Sequence, residues 1–295
     1  MPTWARFPAR PTTAVATRAG GRTLLVTGGN TGIGLATATA LANQGGRVYI
    51  GCRSVAAGQA AVAAIQSATG SRDVWLLPLD LASLASVRAC AAAFLARDEP
   101  LHVLVNNAGV GRRRGVTADG FELHFGVNHL GHFALTSLLL ERLKASGPDA
   151  RIVNVASAAH YGAPGIDFDA LRRRTPSFTG QREYAVSKLC NVLFAQELAW
   201  RLNGAGVTSY ALHPGVVASD IWRRVPPLAR TLIKRRMLTV EQGAATPFYC
   251  ATSRAVASES GLFYDKCLTR APSPVATSEL AELLWKRSAE WTGLG

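Results

Sequence analysis

From Arg22 onward, short apolar runs alternate with longer stretches in which apolar positions recur at helical spacing. The runs Thr23–Val26, Arg47–Gly51, Val74–Pro78, His102–Asn106, Arg151–Val155 and Val207–His213 read as strands. Between them Gly32–Gln44, Val55–Ala68, Leu84–Ala96, a long region over about Asp119–Lys144, and Arg182–Asn203 read as helices. The strand segments are apolar throughout, not alternating, as expected when both faces of a parallel sheet are covered. The pattern therefore predicts an α/β fold, a doubly wound parallel sheet with helices on both faces. After His213 the pattern loosens at Pro214-Gly215, and 218–239 is rich in arginine and aliphatic residues. Val240–Cys250 resumes a helix, Leu262–Tyr264 reads as a last strand, and Ser278–Trp291 as an amphipathic terminal helix. With no repeat and no low-complexity linker, the reading is one domain over residues 22–295 behind a flexible tail, residues 1–21.

Composition changes this picture little. A chain of 295 residues with 48% apolar content can bury one large core. No stretch approaches the roughly 20 apolar residues of a membrane span. Five scattered cysteines without a Cys-x-x-Cys pair read as buried thiols in a reducing compartment. Net charge is +13, and only five of the 32 basic residues are lysine. The arginines are dispersed and no nucleic-acid motif accompanies them, so nucleic acid is not an expected partner. Anionic cofactors and anionic membrane surfaces are the partners such a charge attracts. The first 20 residues carry Arg6, Arg10 and Arg18, three prolines and no acid. That suits a transit sequence in composition, but the prolines oppose a continuous helix, so a disordered tail is favoured and the cytoplasm is the expected location.

Candidate chemistry begins at Leu24–Gly34, where Gly28-Gly29-Asn30-Thr31-Gly32-Ile33-Gly34 joins the first strand to the first helix. Glycines there permit a tight turn and close backbone approach, and the helix N-terminus offers N–H donors to a pyrophosphate. The spacing is Gly-x-x-x-Gly-x-Gly, not the Gly-x-Gly-x-x-Gly of the ordinary dinucleotide fingerprint. The second strand ends in Gly51-Cys52-Arg53, and no acid occurs between the loop and Asp73. An arginine there accommodates a ribose 2′-phosphate, so NADP(H) is the preferred cofactor, with NAD(H) as the alternative. Tyr184 and Lys188 stand four residues apart on a predicted helix, one turn from each other on the same face. A cation beside a phenol lowers its pKa, which makes the pair a candidate proton donor and acceptor for carbonyl or alcohol chemistry.

Taken in order, Thr27–Gly34, Asn106-Asn107-Ala108-Gly109, Asn128, Ser157 and Tyr184-x-x-x-Lys188 resemble the motifs of the short-chain dehydrogenase/reductase family. The resemblance implies a single Rossmann-type domain with a seven-stranded parallel sheet and interconversion of a carbonyl and an alcohol. It also implies roles. Ser157 would hold the substrate oxygen, Tyr184 would transfer the proton, and Lys188 would bind the nicotinamide ribose and lower the tyrosine pKa. Asn128 would hold a water linking Lys188 to solvent. Gly28, Asn30, Thr31, Gly32, Ile33, Gly34, Arg53, Asp80, Leu81, Asn107, Ala108, Gly109, Pro214, Gly215 and Val217 would line the cofactor with Tyr184 and Lys188, beside a substrate loop at about 216–240. Dimers or tetramers built on the two long helices are usual in the family.

Asn154–His160, the run Tyr184–Phe194, and His213–Val217 resemble more narrowly the branch that holds retinol dehydrogenases and WW-domain oxidoreductases. Ser157 precedes Tyr184 by 27 residues, about twice the usual separation, so roughly His160–Gln181 reads as an insertion near the substrate mouth, a feature of that branch. Position 156 is alanine where the branch commonly has a second serine. A membrane anchor of the kind found in many animal retinol dehydrogenases is not expected ahead of the fold, which weighs against retinol itself. A lipophilic or aromatic aldehyde or ketone is the expected substrate, with a compact polar carbonyl as the alternative. An NAD-dependent alcohol or steroid dehydrogenase is the near alternative, and a non-catalytic cofactor-sensing scaffold the distant one.

His124, His129, His132 and His160 lack the spacing of a metal site, and no metal is expected. Arg112-Arg113-Arg114 reads as a solvated loop that could otherwise reach cofactor or substrate. Pro226–Leu238 reads as a basic amphipathic segment at the substrate entrance, with peripheral membrane contact as its alternative use.

Overall fold

The computed structural model describes residues 19–217 and 238–294. In chain order the elements are β1 (Thr23–Thr27), α1 (Gly32–Asn43), β2 (Arg47–Cys52), α2 (Val55–Thr69), β3 (Val74–Pro78), α3 (Leu84–Leu95) and β4 (Val103–Asn106). A short helical turn (Leu123–Phe125) and a π-helical turn (Gly126–Leu130) lead into α4 (Gly131–Ala145). Then follow β5 (Ala150–Val155), α5 (Gln181–Arg201), β6 (Val207–His213), α6 (Val240–Thr252), β7 (Phe263–Asp265), β8 (Leu268–Arg270) and α7 (Ser278–Thr292).

One sheet of order β3-β2-β1-β4-β5-β6-β7-β8 runs through the molecule. Its first seven strands are parallel, as expected, and an eighth pairs antiparallel with β7. Alternate residues of each strand enter opposite cores. Leu25, Tyr49, Leu104 and Ile152 pack with α3, α4, α5 and α7, and Leu24, Val26, Ile50 and Val105 pack on the other face. The apolar runs are thus consumed by two cores, one on each side of the sheet.

The order reverses at β1, where β2 and β4 flank it on either side. A ligand crevice opens at such a switch point, outside the carboxyl ends of the strands. The long helical region expected from Asp119 begins instead at Leu123, because Val116 and Glu122 form an antiparallel bridge before it. Glu122 closes the turn by accepting from the Phe125 N–H at 2.9 Å. At the other end, α7 lies across α4 and α5, with Trp285 against Phe133 and Phe194 and with His129 Nε2 3.0 Å from Ser288 Oγ. Ala19 is buried and the Gly21 N–H donates to Gly45 O, so the described fold takes in the last residues of the expected tail. The basic segment Pro226–Leu238, apart from Leu238, and most of the substrate loop lie outside the described residues. Among the described residues no helix is long and apolar enough to cross a membrane.

Candidate active site

The carboxyl ends of β1, β2 and β4 carry the glycine loop, Arg53 and the Asn107–Gly109 turn into one cleft of about 400 Å³. The loop and the turn are stitched together by Thr27. Its Oγ1 accepts from the Asn107 and Ala108 N–H groups at 2.9 and 3.0 Å, and Asn107 Nδ2 donates to Thr27 O at 2.8 Å. His132 Nε2 lies 2.8 Å from the same hydroxyl, while His132 Nδ1 lies 3.0 Å from the Asn128 carbonyl. A carbonyl only accepts, so Nδ1 carries the proton and Nε2 accepts from Thr27. This is the neutral imidazole, consistent with burial pulling the His132 pKa down to about 4.

Two glycines are required by geometry. Gly28 has φ +66 and faces Ala108 Cα, which a Cβ would approach to 3.0 Å. A Cβ on Gly34 would collide with the Gly28 carbonyl and the Asn107 amide. The side chain of Thr31, at the N-cap of α1, makes no capping bond, and the first turn of the helix holds no acid. Bare backbone and a helix N-terminus facing the cleft form a cradle of the kind a pyrophosphate needs. These residues fit a dinucleotide.

The other half of the cleft is built on α5. Lys188 and Tyr184 sit one turn apart, with Lys188 Nζ 5.7 Å from the centre of the Tyr184 ring. Lys188 is buried, and its Nζ donates to the Val155 carbonyl at 2.8 Å. Burial lowers its pKa from 10.5 to about 8. Burial also pushes the Tyr184 phenol above its usual 10, and a hydrogen bond from the Ser157 hydroxyl works against that rise. Ser157 caps the turn after β5 and accepts from the Ala159 N–H at 3.2 Å.

Asn128 lies wholly buried in the π-helical turn and works from behind the cleft. Its Oδ1 accepts from the Val110 N–H at 2.7 Å, and its Nδ2 donates to Val110 O and to Ser187 Oγ at 3.0 and 2.9 Å. Ser187 Oγ donates in turn to the Tyr184 carbonyl at 2.8 Å. Asn128 thus braces the 107–110 turn against the tyrosine helix. Gly109 lies between them, where a Cβ would meet Asn128 Oδ1 at 3.2 Å and Lys188 Nζ at 3.6 Å.

The cleft is lined by Gly28, Asn30 to Gly34, Arg53, Asp80, Leu81, Asn107 to Gly109, Tyr184, Lys188 and Pro214. Asn128, Ser157, Gly215 and Val217 do not line it; Val217 is buried beneath, where a Cβ on Gly243 would strike it. Several lining residues went unrecognised in the sequence, among them Val110, Leu123, Val127 and Val155. Val155 and Cys52 end strands, and that position at a switch point was the available signal. Arg113, from the triplet read as a solvated loop, also lines the cleft although it is exposed. Among the described residues no three His, Cys, Asp or Glu side chains are placed to share a metal ion. The four histidines considered for one are held by Glu122, Ser288, Thr27 with Asn128 O, and Ser157 O with Ser273 N. The five cysteines are unpaired thiols, four of them buried.

Comparison with known proteins agrees with this arrangement. Residues 22–167 match the family model of the short chain dehydrogenases. Human retinol dehydrogenase 12 is 46% identical over 280 residues, covering 93% of this chain and 87% of its own length. Human retinol dehydrogenase 13 is 43% identical over 288 residues, covering 93% of this chain and 85% of its own. Among solved structures, an uncharacterized protein from Mycobacterium Paratuberculosis superposes with a TM-score of 0.75 at 32% identity, over 94% of this chain and 96% of that one. The Pseudomonas aeruginosa RhlG/NADP active-site complex superposes with a TM-score of 0.68 at 27% identity, over 88% and 97%. With its switch-point cleft, its tyrosine helix and relatives at this level of identity, the chain belongs to the short-chain dehydrogenase/reductase family of oxidoreductases, beside the retinol dehydrogenases.

Proposed function

We propose that the protein interconverts an aldehyde or ketone and its alcohol, with NADP(H) as the preferred cofactor and Tyr184 as proton donor and acceptor. The observation that carries this is the placement of Tyr184 and Lys188 one turn apart at one wall of the cleft, with the Ser157 hydroxyl bonded to the tyrosine from behind it. The bound nicotinamide supplies or accepts the hydride. In the reductive direction, Ser157 orients the carbonyl oxygen and the Tyr184 hydroxyl gives it a proton. Lys188 holds positive charge beside the phenolate left behind, which favours the charged form. Asn128 keeps the tyrosine helix and the 107–110 turn in register, so donor and acceptor meet in a fixed geometry.

Arg53 lines the cleft at the end of β2, where no acid competes for a ribose hydroxyl, and this supports NADP(H) over NAD(H). The aliphatic lining from Val110, Leu123, Val127 and Val155, and relatives named for retinol, support a lipophilic substrate. Tyr184→Phe is the test. Turnover should fall by about a hundredfold or more, while NADPH still binds, read by its fluorescence on titration. Turnover near wild type in that variant would sink the mechanism.

A further inference from the structure

The loop after the Asn107–Gly109 turn and the second half of the 160–181 insertion form a single surface. Thr175, which is buried, joins them. Its N–H donates to Gly115 O at 3.1 Å, its Oγ1 accepts from the Gly115 N–H at 3.1 Å, and Arg114 Nε reaches Thr175 O at 3.4 Å. The same hydroxyl donates to buried Glu122, whose own N–H donates to Leu171 O at 2.8 Å. Gly180 closes the clasp against Arg113, where an added Cβ would stand 2.7 Å from the Arg113 carbonyl. This insertion is anchored at its base to the loop beside the cleft.

What the clasped segments present outward is unusual in charge. Arg112 to Arg114, Arg172 to Arg174 and Arg182 are all exposed. Residues 112–116 and 171–183 together hold these seven arginines and one acid, Glu183, which is engaged by Ser177. The nearest other exposed acids, Asp167 and Asp169, precede this stretch, and the Asp167 carboxylate accepts from the backbone of residues 169 and 170. At the tip of the turn stands Phe178, 89% exposed, with Val116 49% exposed on the companion loop. The turn is stiff, since the Gly180 N–H donates to Ser177 Oγ at 3.0 Å and Ser177 is bonded to Glu183. Among the described residues, Phe178 is therefore held out into solvent by a bonded turn.

We propose that this face docks on an anionic lipid surface, with Phe178 inserted among the acyl chains and the arginines at the headgroups. Basic residues near such a surface each add to binding, and an apolar ring at their centre distinguishes an interfacial anchor from a site for a soluble polyanion. Arg172 lays its guanidinium over the Phe121 ring at 4.3 Å and Arg114 directs Nε to Thr175 O, so these two charged heads are held against the protein while both residues remain exposed. Because Arg113 also lines the cleft, docking in this orientation turns the cleft mouth toward the lipid. This inference concerns binding alone and does not depend on the reaction proposed above.

The experiment is sedimentation of the full-length protein with vesicles of phosphatidylcholine alone and of phosphatidylcholine mixed with phosphatidylserine. Partition onto the anionic vesicles is expected, weakening as salt is raised. Each arginine taken from the surface should cost about fivefold, so Arg173→Glu with Arg174→Glu together should lower partition by about 25-fold or more. Phe178→Ser should lower it about tenfold or more. Phe178→Trp should bind as wild type, with a blue-shifted emission component that wild type lacks. Turnover of a short, water-soluble carbonyl should be unchanged in all three variants. The proposal is overturned by equal partition onto neutral vesicles, by no partition, or by anionic partition that these variants leave intact. It is also overturned if heparin binds as tightly as the vesicles and Phe178→Ser changes neither, the result expected of a protein or polyanion partner.

Discussion

Lys188 is held against the interests of the fold, and the cost can be measured. Below pH 8 the lysine is protonated in both the folded and the unfolded chain, and the fold bears the full penalty of burying the charge. Its pKa falls from 10.5 to about 8 through burial. At about 1.4 kcal/mol for each tenfold change in acidity, that penalty is about 3 kcal/mol. As pH rises through 8, the folded chain releases the proton while the unfolded chain keeps it until about 10.5. Stability contributed at this position therefore rises between pH 8 and 10.5. Lys188→Met keeps the length of the side chain and removes the charge. It loses the 2.8 Å charge-assisted hydrogen bond to the Val155 carbonyl, worth about 1.5–3 kcal/mol. That carbonyl is not left bare, because Asn191 Nδ2 also donates to it at 3.2 Å. The variant without cofactor should accordingly be more stable than wild type at pH 7, by up to about 1.5 kcal/mol. Urea denaturation followed by circular dichroism at pH 7 and at pH 9.5 gives the comparison. The gap between variant and wild type should narrow at the higher pH, while turnover in the variant is lost at both. A variant less stable at pH 7, or a gap independent of pH, would refute the account of the buried ammonium.

Two further outcomes are expected. Arg53→Asp should shift the ratio of NADPH-linked to NADH-linked turnover by about tenfold or more, since a charge-assisted bond to phosphate is worth about 1.5–3 kcal/mol; an unchanged ratio removes Arg53 from cofactor choice. On acidification, His129 and His132 must charge to unfold, because burial holds their pKa values near 3 and 4 against an ordinary 6.5. Stability from the neutral pair is complete above pH 6.5 and is lost as pH falls from there toward 4, at about 1.4 kcal/mol per pH unit for each histidine. His129→Gln should flatten that slope in acid denaturation, and an unaltered slope would show that His129 does not carry it.

The parallel strands were legible because each is an apolar run buried on both faces, as Leu24, Leu25 and Val26 of β1 show. β8 was not. Its three residues are exposed, and its hairpin turns at Lys266 and Cys267 with φ of 53 and 61, where a sequence reader looks for glycine or asparagine. The glycine loop and the Tyr184–Lys188 spacing announced themselves by type and interval. Asn128 did so only through family resemblance, since nothing in Gly126–Leu130 marks a π-helical turn. The partners that orient the site, His132 under Thr27 and Ser187 under Asn128, are set by contacts across 105 and 59 residues of chain, and one-dimensional spacing carries no record of them.

The 27-residue gap between Ser157 and Tyr184 shows why such contacts matter. Bringing two side chains together across a longer loop costs only slowly more entropy, but it requires that the loop's ends be fixed. The structure fixes both. At the near end His160 Nδ1 donates to the Ser157 carbonyl at 2.7 Å, and its Nε2 accepts from the Ser273 N–H at 3.1 Å. At the far end Thr175 is tied to Glu122 and Gly115, and Ser177 to Glu183 in the first turn of the tyrosine helix. The serine and the tyrosine meet because the chain between them is pinned where it leaves one and where it enters the other. The stretch between those ties is thereby freed to carry Arg172 to Arg174, and the bonded turn at its far end carries the exposed Phe178, without disturbing the proton-transfer geometry. A chain with the usual shorter connection has no such segment to spend, so the insertion adds a surface beside the cleft while leaving the reacting groups in place.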